Sequence, residues 1–147
     1  MVLGIISDHR GYDLKERIKK ELEKKGFQIN DYGAYSKEAS DHPDFAFRLG
    51  EAINNKEVDF GIAICGTGIG MCIACNKVKG IKCAKVDTIE EAAITRKDND
   101  SNIIAFGAKK TLPKAIKMIE NFVNTPCSME ERFIRRRNKI KKYEESK

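Results

Sequence analysis

Five short apolar runs, separated by polar loops and by segments of helical spacing, leave few folds open to this chain. The first, Val2 to Ile6, ends in Ser7-Asp8-His9-Arg10-Gly11, and from Asp13 onward Leu14, Ile18 and Leu22 recur at helical spacing until Gly26 stops the pattern. Phe27 to Ile29 predicts a second strand, Tyr32 to Asp41 a polar loop, and Pro43 sits where a helix carrying Phe47 and Ile53 can begin. A third strand, Phe60 to Ile64, runs straight into Cys-Gly-Thr-Gly-Ile-Gly at 65 to 70. After a helix through Asn76, the pattern predicts a strand over Ile81 to Val86, a helix from Thr88 to about Lys97, a strand over Ile103 to Phe106 and a helix over Leu112 to Asn124. Pro126 separates these from a last basic helix, Ser128 to Glu145. Each parallel crossover needs a helix to cover the sheet, so the order specifies an α/β chain with a five-stranded parallel sheet and helices on both faces. A length of 147 residues suits one domain, residues 1–147, with one sizeable core.

In such a sheet, ligands bind beyond the carboxyl ends of the strands. Asp8-His9, the cysteine-glycine loop and Asp87 each follow a strand and are expected on one rim. Gly66, Gly68 and Gly70 let main-chain N–H groups approach an anion where a helix begins, which suits a phosphate or an enolate oxygen. A dinucleotide reading needs Gly-x-Gly-x-x-Gly, but the third glycine falls one place early and Met71 holds its slot. Cys65 at the head of the loop is a candidate base or nucleophile, since the helix dipole and converging N–H groups favour a thiolate; a buried cysteine ending an apolar strand is the plain alternative. Cys72 and Cys75 fall within a predicted helix with no second close cysteine pair, and so read as helix packing rather than a zinc or redox site.

Partners are narrowed by charge and cysteine usage. The net charge of +6 sits entirely in the tail: Arg132 to Lys147 carries eight Lys/Arg and two Glu, whereas the first 131 residues carry twenty of each sign. No nucleic-acid-binding motif appears, so nucleic acid is not an expected partner. Neither a signal peptide nor a membrane span is visible, and five cysteines, an odd number, argue for free thiols in the reducing cytoplasm.

Taken in order, Ser-Asp-His at 7 to 9, Cys-Gly-Thr-Gly-Ile-Gly at 65 to 70, Ala-x-Asn-Lys at 74 to 77, Arg-x-x-Asn-Asp-x-Asn at 96 to 102, Phe-Gly at 106 to 107 and the arginines 132 and 136 resemble the ribose-5-phosphate isomerase B family, which includes galactose-6-phosphate isomerase. The resemblance implies a Rossmann-like three-layer homodimer, or a dimer of dimers, with active sites at the subunit interface, the basic helix 128–147 packed on the partner, and no metal or organic cofactor. It implies an aldose–ketose isomerase working through a cis-enediolate, with Cys65 as base and Thr67 as the hydroxyl beside it. Gly66, Gly68, Ile69 and Gly70 match the anion hole, Asp8 and His9 sugar and phosphate contacts, Asn99 a contact supplied by the partner chain, and Arg132 and Arg136 a phosphate clamp. Guanidinium forks four residues apart on a helix share one face and suit a phosphate. Phe133, Ile140 and Tyr143 form the stripe expected to dock that helix.

Three pocket positions depart from the family's pattern. Asp98 stands where a ring-opening histidine is usual, Phe133 follows Arg132 in place of a histidine, and His42 replaces a tyrosine in Asp41-His42-Pro43. An imidazole is poised near neutral pH and an ordinary aspartate is not, so ring opening falls either to His42 or to Asp98 in an unusual setting. A tetrose 4-phosphate cannot close a five-membered ring and needs no opening. Substrates from tetrose 4-phosphate to hexose 6-phosphates such as galactose or allose therefore stand beside ribose 5-phosphate, the default. A non-catalytic sugar-phosphate-binding subunit paired with a paralogue is the rival of another class.

Overall fold

The runs that read as continuously apolar are those buried on both faces. β1 (Val2–Ser7) and β3 (Phe60–Cys65) are buried along nearly their whole length, which removes any polar alternation from their sequence. In the computed structural model, which describes residues 1–147, they lie side by side inside a wholly parallel sheet of order β2-β1-β3-β5-β4. β2 (Gln28–Asp31) and β4 (Cys83–Lys85) form the edges, and β5 (Ile103–Gly107) separates β4 from β3. Helices α1 (Tyr12–Lys24), α4 (Ile89–Asn99) and α5 (Leu112–Asn124) cover one face over a core that includes Ile18, Ile62 and Phe122. Helices α2 (His42–Asn54) and α3 (Ile69–Cys75) cover the other, around Leu49 and Met71. The chain is the expected three-layer α/β sandwich in a single domain. None of its helices is long and apolar enough to cross a membrane.

Local chemistry explains where elements begin. Thr88 caps α4 by accepting the Glu91 N–H at 3.0 Å, and Glu91 reaches back to the Asp87 N–H, also at 3.0 Å. β4 is shorter than Ile81 to Val86 because side chains replace ladder bonds at its start: Asn102 accepts from Lys82 N at 2.8 Å, and Asn76 accepts from Cys83 N at 2.7 Å. The last helix, α6 (Glu131–Glu145), begins three residues later than Ser128, whose own N–H is drawn to the Lys97 carbonyl at 2.7 Å.

Within one chain the expected docking stripe of α6, Phe133, Ile140 and Tyr143, stays largely open. The helix buries no residue, and Ile140 and Tyr143 are 63% and 68% exposed. Arg137 holds the helix instead, donating to the carbonyls of Ser128 at 2.7 Å and Asp98 at 3.3 Å, while Glu144 accepts from Gly80 N at 3.0 Å.

Candidate active site

β1 leads leftward to β2, whereas β3 is followed by strands on its other side, so a crevice opens between the carboxyl ends of β1 and β3. A cavity of about 600 Å³ occupies it, and nearly every lining group is polar. Asp8, His9 and Arg10 enter from the end of β1, Ser40 to Asp44 from the start of α2, and Cys65, Gly66, Thr67 and Gly70 from the glycine loop.

Cys65 is the last residue of β3, 5% exposed, and its Sγ receives the Gly68 N–H at 3.1 Å. That bond depends on Gly68 at φ +85°, a left-handed conformation in which an added Cβ would stand 2.8 Å from the Phe106 backbone. The loop therefore turns back under its own thiol only because this residue lacks a side chain. Thr67 Oγ1 accepts from Ile69 N at 3.2 Å, which sets the hydroxyl at the entry of α3, and Ile69 itself is 53% exposed. Gly70 is roofed by His42, whose Nε2 lies 2.7 Å from where a Cβ would be. His42 is thus seated over the first turn of α3, in the same cavity as Cys65.

The post-β1 loop is organised by Asp8, which is buried and accepts the N–H groups of Arg10 at 3.0 Å and Gly11 at 3.1 Å through Oδ1. His9 accepts the Ser40 N–H on Nδ1 at 3.2 Å, which in the neutral ring leaves Nε2 as the N–H-bearing nitrogen. Arg10 was not singled out by sequence reasoning, yet its guanidinium lies 3.0 Å from an ideal Gly66 Cβ and places a cation at the cavity. Its signal was adjacency to Asp8-His9. Ser40 was missed too, since a lone serine in a polar loop carries no pattern; its Oγ is buried without a partner.

The remaining predicted site residues lie elsewhere on the chain. Asp98, Asn99 and Arg136 line a second cavity of about 590 Å³ with Phe133, Asn76 and Cys83. Arg132 pairs with Glu130 at 3.2 Å, and both Arg132 and Arg136 stack on the Phe133 ring, 4.8 and 5.8 Å from its centroid. Phe133 therefore holds the two guanidinium groups on one platform. In a single chain the thiol and Arg136 belong to separate cavities. Asp87 does not join the thiol either: it is held by Lys85 at 2.7 Å and Lys110 at 3.0 Å, and β5 stands between its strand and β3.

Comparison with known proteins agrees with this architecture. The family model described as Ribose/Galactose Isomerase matches residues 3–140. The solved structure of Clostridium thermocellum ribose-5-phosphate isomerase B superposes with a TM-score of 0.94 at 38% identity, covering 99% of each chain. That of the Mycoplasma genitalium ribose-5-phosphate isomerase B, with bound ribulose-5-phosphate, gives 0.91 at 36% identity, covering 99% of this chain and 97% of that one. The D-erythrulose-4-phosphate isomerase of Pectobacterium atrosepticum is 39% identical over 119 residues, 80% of this chain and 78% of its own.

Proposed function

We propose that this chain, which belongs to the ribose/galactose isomerase family, interconverts the aldose and ketose forms of a sugar phosphate, ribose 5-phosphate and ribulose 5-phosphate by default, with Cys65 as the base. The observation that carries this reading is the Cys65 sulfur at the head of the glycine loop, facing the crevice between β1 and β3. Isomerisation moves one proton between C2 and C1 through a cis-enediolate. One thiolate within reach of both carbons takes it and returns it, while fixed donors stabilise the charge that gathers on oxygen. Thr67 and the His9 Nε2–H are the donors at hand.

The phosphate clamp is the arginine pair on the Phe133 platform, and it reaches the thiol from a second copy of the chain. Two copies related by a twofold axis complete each other's sites, with Asn99, Arg132 and Arg136 of one facing Cys65 of the other. Five free cysteines fit a cytoplasmic setting. Mixing Cys65→Ala with Arg136→Ala protein after dissociation is expected to restore about a quarter of wild-type activity, because half the random dimers carry one intact site of two. A mixture as inactive as its components refutes a shared site.

Ribose 5-phosphate arrives as a furanose, and His42, which with His9 shares the thiol's cavity, is the ring-opening group in this reading. A second reading, a tetrose 4-phosphate substrate, is favoured by Asp98 at the usual histidine position and needs no ring opening. The test is a panel of ribose 5-phosphate, erythrose 4-phosphate, galactose 6-phosphate and allose 6-phosphate on wild type and His42→Phe. The default expects the best wild-type turnover on ribose 5-phosphate and its loss, by about 10²-fold or more, in His42→Phe. Better turnover of erythrose 4-phosphate, unaffected by that substitution, establishes the tetrose.

A further inference from the structure

Three of the five cysteines come together away from the Cys65 cavity. Cys72 and Cys75 lie on α3, and Cys83 opens β4; Cys75 and Cys83 are buried, and Cys72 is half-buried. Cys72 Sγ sits 3.4 Å from the Cys83 carbonyl. Asn76 locks the two segments in register: its amide donates to that carbonyl at 2.9 Å and lies 3.7 Å from the Cys72 sulfur, while its Oδ1 accepts from Cys83 N at 2.7 Å. No group of three or more His, Cys, Asp or Glu side chains is arranged to hold a metal ion. A thiol pair fixed in register is the chemistry that remains.

The two sulfurs differ in kind. The Cys83 thiol hydrogen-bonded to Cys72, against partial burial and together with the N–H and ammonium of Lys85, brings the Cys72 thiol down to about 6. Cys83 moves the other way, well above the usual thiol range, through its hydrogen bonds to Cys72 and Cys75 and its burial. The half-buried sulfur with the lowered pKa, Cys72, is thus the one that ionises and reacts first, and its buried neighbour Cys83 the one that stays protonated longer.

We propose that Cys72 and Cys83 form an oxidant-sensitive thiol pair, in which Cys72 reacts with a hydroperoxide and Cys83 resolves the product into a Cys72–Cys83 disulfide. The Cys72 thiolate attacks one peroxide oxygen, the O–O bond breaks, and sulfenic acid forms with release of hydroxide or alkoxide. The Cys83 sulfur then attacks the sulfenic sulfur, displacing the oxygen as water with the Cys83 proton. Sulfur is oxidised by two electrons and the peroxide reduced by two. The bridge ties the middle of α3 to the start of β4, at the wall of the cavity lined by Asn76, Cys83, Asn99 and Arg136. The pair stands independently of which sugar phosphate the chain takes.

The test begins with the unmodified full-length protein. Brief iodoacetamide labelling at pH 6.5, read by fragment-ion sequencing of the tryptic peptide Glu57 to Lys77 that carries Cys65, Cys72 and Cys75, is expected to mark Cys72 ahead of Cys65 and Cys127, with a rate half-maximal near pH 6. Stoichiometric hydrogen peroxide is then expected to join the tryptic peptides carrying Cys72 and Cys83, which Lys77, Lys79 and Lys82 otherwise separate. In Cys83→Ala the joined peptide disappears and Cys72 stops at a dimedone-reactive sulfenic acid. In Cys75→Ala the join persists. First labelling at Cys65 or Cys127, a Cys72–Cys75 bridge, or no bridge at all overturns the proposal.

Discussion

Cys65→Ala is expected to stop exchange of solvent deuterium into a bound sugar phosphate and to lower kcat by about 10²–10⁴-fold, while sugar-phosphate binding persists. Removing the base takes away an interaction made only in the transition state, so kcat and kcat/KM fall together. The anion contacts survive, because Gly68 keeps its left-handed turn and the arginine pair lies on another element. Deuterium incorporation followed by NMR, with affinity measured separately by calorimetry, distinguishes this from a collapsed site. If wild type binds sugar phosphate but exchanges no proton, the chain is the binding subunit of the rival reading. If Cys65→Ala exchanges at the wild-type rate, the base is another residue.

Asp31→Asn is expected to cost roughly 3 kcal/mol of folding stability, the largest effect foreseen outside the cavities. Lys15 is the reason. Its side chain is fully buried, bonded to Asp31 at 2.6 Å and to the Ala34 carbonyl at 2.7 Å, and it sits 5.3 Å from the centre of the Tyr12 ring. Lys19 reaches the same Asp31 oxygen at 2.7 Å. Breaking one side leaves an ammonium buried without its counter-charge, whereas replacing both partners with apolar groups is far milder. Urea titration of Asp31→Asn and of the Lys15→Met, Asp31→Leu double variant measures this, and equal losses in the two rule out the explanation.

The pH dependence has a definite sign. Burial pushes the Asp31 carboxyl up, but hydrogen bonds from Lys15, Lys19 and the Gly33 N–H outweigh it, and the carboxyl lies below the usual range. A depressed carboxylate contributes its stability above the unfolded value, about 4, and loses it as pH falls through the folded value. Wild type is therefore expected to lose this contribution as pH falls below about 4, and Asp31→Asn to lack it at every pH. The same lysine ties α1 to the loop that delivers Ser40 and His42, so the ion pair also places one wall of the cavity.

Much of this was legible in sequence because it depends on neighbours along the chain. The periods of Leu14, Ile18 and Leu22 and of the five apolar runs predict the helices and strands, and short-range steric demands make the glycines around Cys65 readable as a loop. Boundaries shifted where distant groups intervened: the Asn76 and Asn102 side chains shorten β4, and the Lys97 carbonyl delays α6. The motif string likewise drew attention to Cys65, His42 and Arg136 without saying which share a cavity.

What the tertiary structure alone decided follows from pairings between segments far apart in sequence, which no local period encodes. Insertion of β5 between β3 and β4 removed Asp87 from the thiol's neighbourhood. Seating α6 beside α4 put Arg136 with Asp98 and Asn99 and away from Cys65. Packing α3 against β4 gave Cys72 a third cysteine that its Cys-x-x-Cys spacing did not announce. The sequence by itself determined the α/β class, the glycine loop and the thiol at its head, because backbone sterics and helical and strand periodicity act over a few residues. Which charged and nucleophilic groups meet was left to the strand order and the docking of helices, where burial of apolar surface chooses the arrangement and the polar groups take the neighbours it leaves them.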